Sequence, residues 1–372
     1  MNKSKARTMK AYLEEVMEIE KKLSKIIPDS HDDNYPKPLN SKEEKEKFFA
    51  ALEKKEVYNP QFTYEKLLYK DADIEKLRSF KIDIKNDHFG FKKLLKEKSL
   101  ERYYIAKAFQ HWGETSSTQY IIQAKGIPSP EIVKKAQQFC KTYKREKVRF
   151  RRITPQKVGE ELQKEVKRKT GEDIKIIFKP LANKLNINSK EGEIKINPLE
   201  AFTTLDLERL RVHEIGVHYM RYWNCKNFGI KLLQTGTANY LETEEGLAVY
   251  AEDLNHVLSK AQLFIYAGRV LATHFAQTQS FYELFHTLRK YKFKENDAFT
   301  LSLRAKRNLC DTSQHGGYTK DYVYFKGYFK IKEFAEENDI NDLFIGKIKI
   351  EDLPILKFFL EKNKNKLKER FL

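Results

Sequence analysis

The chain has 372 residues, and 71 lysines and arginines against 53 acidic side chains give it a formal charge of +18. With 40% hydrophobic residues, 25 Phe and 20 Tyr, it carries enough apolar surface to offset the entropy of ordering, which excludes a disordered chain. No apolar run approaches the roughly 18 residues of a membrane span. The first residues lack the apolar stretch of a secretory leader. Cys140, Cys225 and Cys310 form no CxxC pair, so the expectation is a cytoplasmic protein with reduced thiols.

Tyr12, Val16, Ile19, Leu23 and Ile26 recur at steps of three and four, the stripe of an amphipathic helix over the first 26 residues. The Asp- and Pro-rich run 28–40 ends it. Further helices are predicted over 41–55, 64–80, 91–110, 114–124 and 129–143, the fourth stopping near Gly126 and the last starting after Ser129 with Pro130 in its first turn. After the basic stretch KREKVRFRR at 144–152 a helix over 155–169 precedes the alternation of Ile174, Ile176 and Phe178, which reads as a strand. Residues 184–188 and 193–197, joined by the turn residues 189–192, read as a hairpin. Helices are then expected over 205–223, 243–261 and 262–290, and 330–372 is mostly helical. The fold class is α+β, mainly helical, with a helical N-terminal region (1–145) and a catalytic part (146–372) whose small sheet precedes the key helix.

That helix carries His213, Glu214, Ile215, Gly216, Val217 and His218. Two imidazoles four residues apart share one helix face and can hold one metal ion. Here the spacing is five, which on a regular helix separates them by about 140°. A π-type turn of about 4.4 residues brings this back to about 50°, and Gly216 weakens the regular helix where the bulge must form. A π-bulge between His213 and His218 is therefore predicted. Zinc needs a third protein ligand and one open position. The candidates lie in Thr243, Glu244, Glu245, Gly246, Leu247, Ala248. A glutamate on the next helix completes the His₂Glu order of gluzincin peptidases, whose ligand often directly precedes a small residue, which favours Glu245 over Glu244. Glu214 is then the group that polarises the metal-bound water and passes its proton to the leaving amine, without touching the metal.

Four segments, HEIGVHYMR at 213–221, TEEGLAVY at 243–250, YNPQFTY at 58–64 and RAKRNLCDTSQHGGYTKDYVYFKG at 304–327, resemble the microtubule-associated tyrosine carboxypeptidases and their bacterial relatives. The similarity runs over roughly residues 55–372. It implies zinc on His213, His218 and Glu245, catalysis by Glu214, and removal of a C-terminal Tyr- or Phe-like residue from a peptide or protein. Bacterial members often have QEGLP where this chain has EEGLA. A Gln in place of Glu244 again points to Glu245 as the ligand.

A carboxypeptidase needs a cation for the substrate's terminal carboxylate. Arg304, Arg307 and Lys320 in the C-terminal segment are candidates. Gly316 and Gly317 would permit close backbone approach there, and Tyr318 is a candidate donor to the oxyanion. Arg221 reads instead as a structural charge beside the metal helix. A positive surface would concentrate an acidic protein tail. The alternatives are a nucleic-acid binder, for which 144–157 would contact phosphates, and a metal-binding regulator without turnover. The interspersed acidic residues and the lack of any RRM, zinc-finger or P-loop pattern count against nucleic acid as a partner.

Overall fold

Start and stop signals in the sequence set many of the element boundaries. Ser129 accepts a hydrogen bond from the Ile132 amide, Thr154 from Lys157 and Ser259 from Gln262, while Thr203 with Asp206 and Ser280 with Glu283 form reciprocal capping boxes. In chain order the computed structural model contains helices α1 (Lys3–Ile26), α2 (Ser41–Glu53), α3 (Asp71–Arg78), α4 (Phe91–Gln110), α5 (Ser116–Lys125), α6 (Pro130–Thr142), α7 (Pro155–Thr170), α8 (Thr204–Leu210), α9 (Met220–Lys226), α10 (Lys231–Thr235), α11 (Leu241–Leu254), α12 (Lys260–Ala276), α13 (Phe281–Lys290), α14 (Glu295–Lys306), α15 (Val323–Glu337) and α16 (Leu353–Asn363). The strands are β1 (Arg152–Ile153), β2 (Lys175–Phe178), β3 (Leu185–Asn188), β4 (Glu193–Ile196) and β5 (Phe202–Thr203). The structure describes residues 3–27, 35–66, 69–85, 87, 89–145, 150–181, 183–226 and 228–363. Parts of the runs 28–40 and 144–157, His31, His88 and the chain after 363 lie outside the described residues.

The architecture is mainly helical with two small sheets, as the α+β reading expects. The hairpin forms as anticipated, Leu185 opposite Ile196 and Asn188 opposite Glu193, and β2 adds to β4 in parallel, giving the order β2-β4-β3. Helix α7 packs on this sheet through Val158, Leu162 and Val166. Among the described residues, no helix is long and apolar enough to cross a membrane.

Three expected helices are corrected. The helix expected over 64–80 begins only at Asp71, because the chain before it is engaged elsewhere: Phe62 N–H donates to Cys310 O (2.8 Å) and the Tyr64 hydroxyl to Leu309 O (3.3 Å). The helix expected over 243–261 ends at Leu254, where His256 turns left-handed (φ 56°) and the amides of Val257 and Leu258 bond back to Glu252 O. The helix expected over 262–290 is two helices, divided by the Ser280 cap. Helix α14 carried no sequence-based expectation.

Two of the hydrophobic clusters tie the N-terminal helices to the rest of the chain. Phe48, Ile132 and Val133 pack with α12–α15, with the Phe48 ring within 4.9 to 5.4 Å of the rings of Phe281, Phe285 and Phe299; such pairs add about 0.5–1.5 kcal/mol each beyond area burial. Tyr12, Val16 and Ile19 of α1 pack with Cys225, Leu233, Ile348 and Leu356. The 58–64 motif bridges the start of α13 and the segment after α14: Asn59 Oδ1 accepts from the Tyr282 amide (2.9 Å), and Pro60 O from the Thr312 hydroxyl (2.7 Å).

Helices α11 and α15 cross with their backbones in contact. A methyl group built at Gly246 would land on the Gly327 carbonyl, and one at Gly327 on Glu242 O. The two motif glycines are therefore each other's contact, which brings the side chains flanking them, Glu245 and Tyr324, together.

Candidate metal centre and cleft

The segment Arg211–Tyr219 is π-helical, continuous with α8 before it and α9 after it. Ile215 and Tyr219 face the sheet, while Val217 and Met220 pack on Leu247, Ala248 and Ala251 of α11. Apolar contact on two sides fixes the rotation of this helix. The widened turns then place the His213 and His218 rings 4.8 Å apart at 76°. The π-turn anticipated from the five-residue spacing is present and extends beyond the two histidines.

Glu245 of α11 meets both rings. Its Oε2 lies 3.6 Å from His213 Nε2 and 3.7 Å from His218 Nε2, too long for hydrogen bonds, so this buried oxygen has no hydrogen-bond partner among the described residues. One donor atom from each of the three side chains falls within 4.8 Å of the others. Although burial works against its charge, His213 and His218 hold the Glu245 carboxyl down at about 2. Its Oε1 accepts a hydrogen bond from the Tyr324 hydroxyl (3.0 Å).

Each imidazole is oriented from behind. His213 Nδ1 lies 2.7 Å from Glu252 Oε1, and Glu252 is held by a two-pronged ion pair with Arg209 (3.0 and 3.1 Å). His218 Nδ1 lies 2.8 Å from Glu244 Oε1, and Glu244 is paired with Arg221, which is wholly buried and also donates to Leu343 O and Ile348 O. Burial opposes the Glu244 charge, but Arg221 and Lys347 hold its carboxyl at about 2. A carboxylate can only accept, so each ring carries a proton on Nδ1 and turns Nε2, the atom that could ligate a metal once deprotonated, toward Glu245. Glu244 thus buttresses His218 instead of joining the cluster, and Arg221 has the structural place expected of it. Sequence reasoning missed Glu252. Its signal was present: seven residues after Glu245 is two turns of the same helix, hence the same face.

Glu214 lines a cleft of about 370 Å³ beside His213, and among the described residues its carboxylate has no hydrogen bond or ion pair. The same cleft is lined by Arg304, Arg307 and Lys320, so three of the four expected substrate residues are in place. The arginines are already occupied, however. Arg304 Nε donates to Asp321 (2.5 Å), as does Arg307 Nη2 (3.2 Å), and the Arg307 guanidinium lies over the adjoining rings of Tyr35 and Tyr318, at 4.0 and 4.2 Å. Burial disfavours a charge on Asp321, but Arg304, Arg307 and Arg269 hold its carboxyl far below the usual range. Tyr318 is a correction. It is 5% exposed, packs with Ala108 and Ile121 against Trp112, and is not part of the cleft lining. Its ring supports Arg307, and Tyr324 is the tyrosine that reaches the cluster. Gly316 and Gly317, the expected close-approach residues, do not line the cleft: a methyl at Gly316 would meet the Thr118 side chain and one at Gly317 the Ala305 carbonyl, and the Gly317 amide donates to Thr118 Oγ1.

Residues 46–366 match the sequence model of the microtubule-associated tyrosine carboxypeptidase family, a stretch that includes every residue of the cluster and its supports. The chain belongs to that family. Microtubule-associated tyrosine carboxypeptidase 1 of Mus musculus is 35% identical over 158 residues, 41% of this chain and 33% of its own length. The putative tyrosine carboxypeptidase MATCAP2 of the same species is 33% identical over 165 residues, covering 30% of its own length. Microtubule-associated tyrosine carboxypeptidase 1 of Homo sapiens is 34% identical over 158 residues. The match thus spans about a third of these curated members of the tyrosine carboxypeptidase family.

Proposed function

We propose that the chain is a zinc-dependent, gluzincin-like metallocarboxypeptidase that removes a Tyr- or Phe-like residue from the C-terminus of a peptide or protein. The observation that carries this reading is the convergence of His213 Nε2, His218 Nε2 and Glu245 Oε2. Two imidazole nitrogens and a carboxylate oxygen are the donor set of a three-ligand zinc site. An unpartnered buried oxygen at its centre is what a cation would satisfy. Zinc held there would supply Lewis-acid polarisation and acidify water.

The chain's own groups divide the remaining work. Glu214, unpaired and facing the cleft, takes the proton of the attacking water and returns it to the leaving nitrogen. Glu252 and Glu244 keep the imidazole protons on Nδ1, and Tyr324 holds the Glu245 carboxylate. The cationic wall favours an anionic chain end, and the charge of +18 attracts an acidic tail. The names of the relatives speak of tyrosine removal and microtubule association, so a protein tail ending in tyrosine is the substrate class to test first.

The test is a panel of peptides differing only in the last residue, incubated with zinc or with chelator. Zinc should support release of a terminal Tyr or Phe, and chelator should abolish it. His213→Ala should lose both metal and turnover, while Glu214→Gln should retain one zinc per chain and lose turnover by about 10²–10⁴-fold. Cleavage that survives Glu214→Gln undiminished would refute the mechanism.

A further inference from the structure

Comparing the arginines of the cleft singles out one residue; the lining lysine Lys320 is engaged electrostatically with Glu245. Lys184 donates to Ala201 O and to Asp206, Arg209 is bound to Glu252, and Arg304 and Arg307 share Asp321. Arg269, on α12 and also part of the lining, is different. Its guanidinium carbon lies 4.4 Å from the ring centroid of Tyr324 and 5.0 Å from that of Tyr266, two rings stacked at 13°. Its Nε, like that of Arg307, is buried without a partner, but the Arg307 Nη atoms are bonded to Tyr35 and Asp321, whereas among the described residues no acceptor is hydrogen-bonded to any nitrogen of Arg269. The aromatic faces fix its position and favour its charge without using any of its N–H groups. A donor left unmade in this way is unfavourable, and an incoming acceptor relieves it.

Its position fits the reaction. Tyr324, beneath Arg269, gives its hydroxyl to Glu245, so one ring separates the guanidinium from the metal-site cluster. Asp321 is the acidic side chain shared by the neighbouring arginines, and Arg304 and Arg307 already use both of its oxygens. The arginine cluster therefore carries more positive charge than its own acid neutralises. A carboxylate, planar and able to accept from a guanidinium in pairs, is the chemistry that completes it.

We propose that Arg269 is the specificity-determining residue that receives the substrate's terminal carboxylate. The inference rests on the carboxypeptidase reading above. It differs from the sequence-based assignment to Arg304 and Arg307, which are hydrogen-bonded to Asp321.

The experiment compares peptides ending in Tyr with a free carboxylate or a carboxamide, each with Glu or Gln before the Tyr. Binding is measured by calorimetry on the full zinc-loaded chain in a Glu214→Gln background, and kcat/KM is measured with Glu214 intact. The free acid should bind at least about 30-fold tighter than the amide. Arg269→Met should erase that ratio by weakening the acid, Arg269→Lys should keep part of it, and Arg304→Met should change it less than Arg269→Met. An unchanged acid-to-amide ratio in Arg269→Met overturns the proposal. So does loss of the Glu-to-Gln preference alone, which would make the ligand a side-chain carboxylate. Should Arg269→Met not fold, a ratio in Arg269→Lys equal to that of the unsubstituted arginine also overturns it, because an ammonium cannot reproduce the planar fork. Selective binding without cleavage at Glu214-intact, zinc-loaded sites would defeat hydrolysis and leave Arg269 standing. Cleavage with unaltered selectivity would defeat Arg269 alone.

Discussion

Beside the cleft, His213, His218 and Glu245 bring three donor atoms together, and among the described residues Glu245 Oε2 has no hydrogen-bond partner. Within the cleft lining, Arg304 and Arg307 bond instead to the two oxygens of Asp321. The first arrangement has a buried acceptor to spare, whereas the second spends its acid inside the chain. Unsatisfied groups held rigidly by satisfied ones mark where a ligand goes, and charge alone does not.

The contrast can be broken most severely at the buried pairs. Arg221→Met strands the Glu244 carboxylate and Asp321→Asn strands two guanidinium groups, and each should cost about 3–5 kcal/mol of stability in denaturant titrations. Arg209→Met should cost less, since Arg209 is 23% exposed in its pair while Arg221 is fully enclosed. Equal losses would mean that the two supports of the histidines are not as different as their burial.

Next in size is Gly246→Ala, which sets a methyl against the Gly327 backbone and should lower stability by about 1–3 kcal/mol and weaken zinc binding by moving Glu245. Smaller again, Glu252→Gln should reduce zinc affinity about 10–100-fold in competition with a chelator, with the fold retained. Glu244 offers a pH counterpart in the metal-free protein. Its folded carboxyl is held at about 2, below the ordinary 4.5, so the stability it confers is complete above about pH 4.5 and fades as pH falls toward 2. A urea series across that window should show the difference from Glu244→Gln shrinking with acid. The smallest effect belongs to Gly216→Ala, whose added methyl meets only Arg211 O at 3.4 Å. Circular dichroism and melting should place it within about 1 kcal/mol.

His213, Glu214, His218 and Glu245 were legible because their geometry is set by spacing along two helices, including the need for a π-turn. The hairpin was legible because alternation and turn residues are local signals. Glu252 lay within reach of the same periodic argument. The pairing of Arg304 and Arg307 with Asp321 was not, because it depends on how the chain between α14 and α15 folds back, held by Thr118 on the Gly317 amide and by Pro60 O on the Thr312 hydroxyl. The start of the helix expected over 64–80 failed for a related reason: Phe62 and Tyr64 are tied to the segment after α14 by bonds that no local propensity reveals. Tyr318 and Tyr324 are both motif tyrosines, and only the packing of α15 distinguishes the one beneath Arg307 from the one that reaches Glu245.

The crossing at Gly246 and Gly327 has a mechanical meaning. With no layer of side chains to cushion them, α11 and α15 cannot slide, so the gap between Glu245 and the groups stacked around Tyr324 is gauged when the chain folds. A guest must match that fixed calliper, and its selection is an act of measurement by a rigid frame.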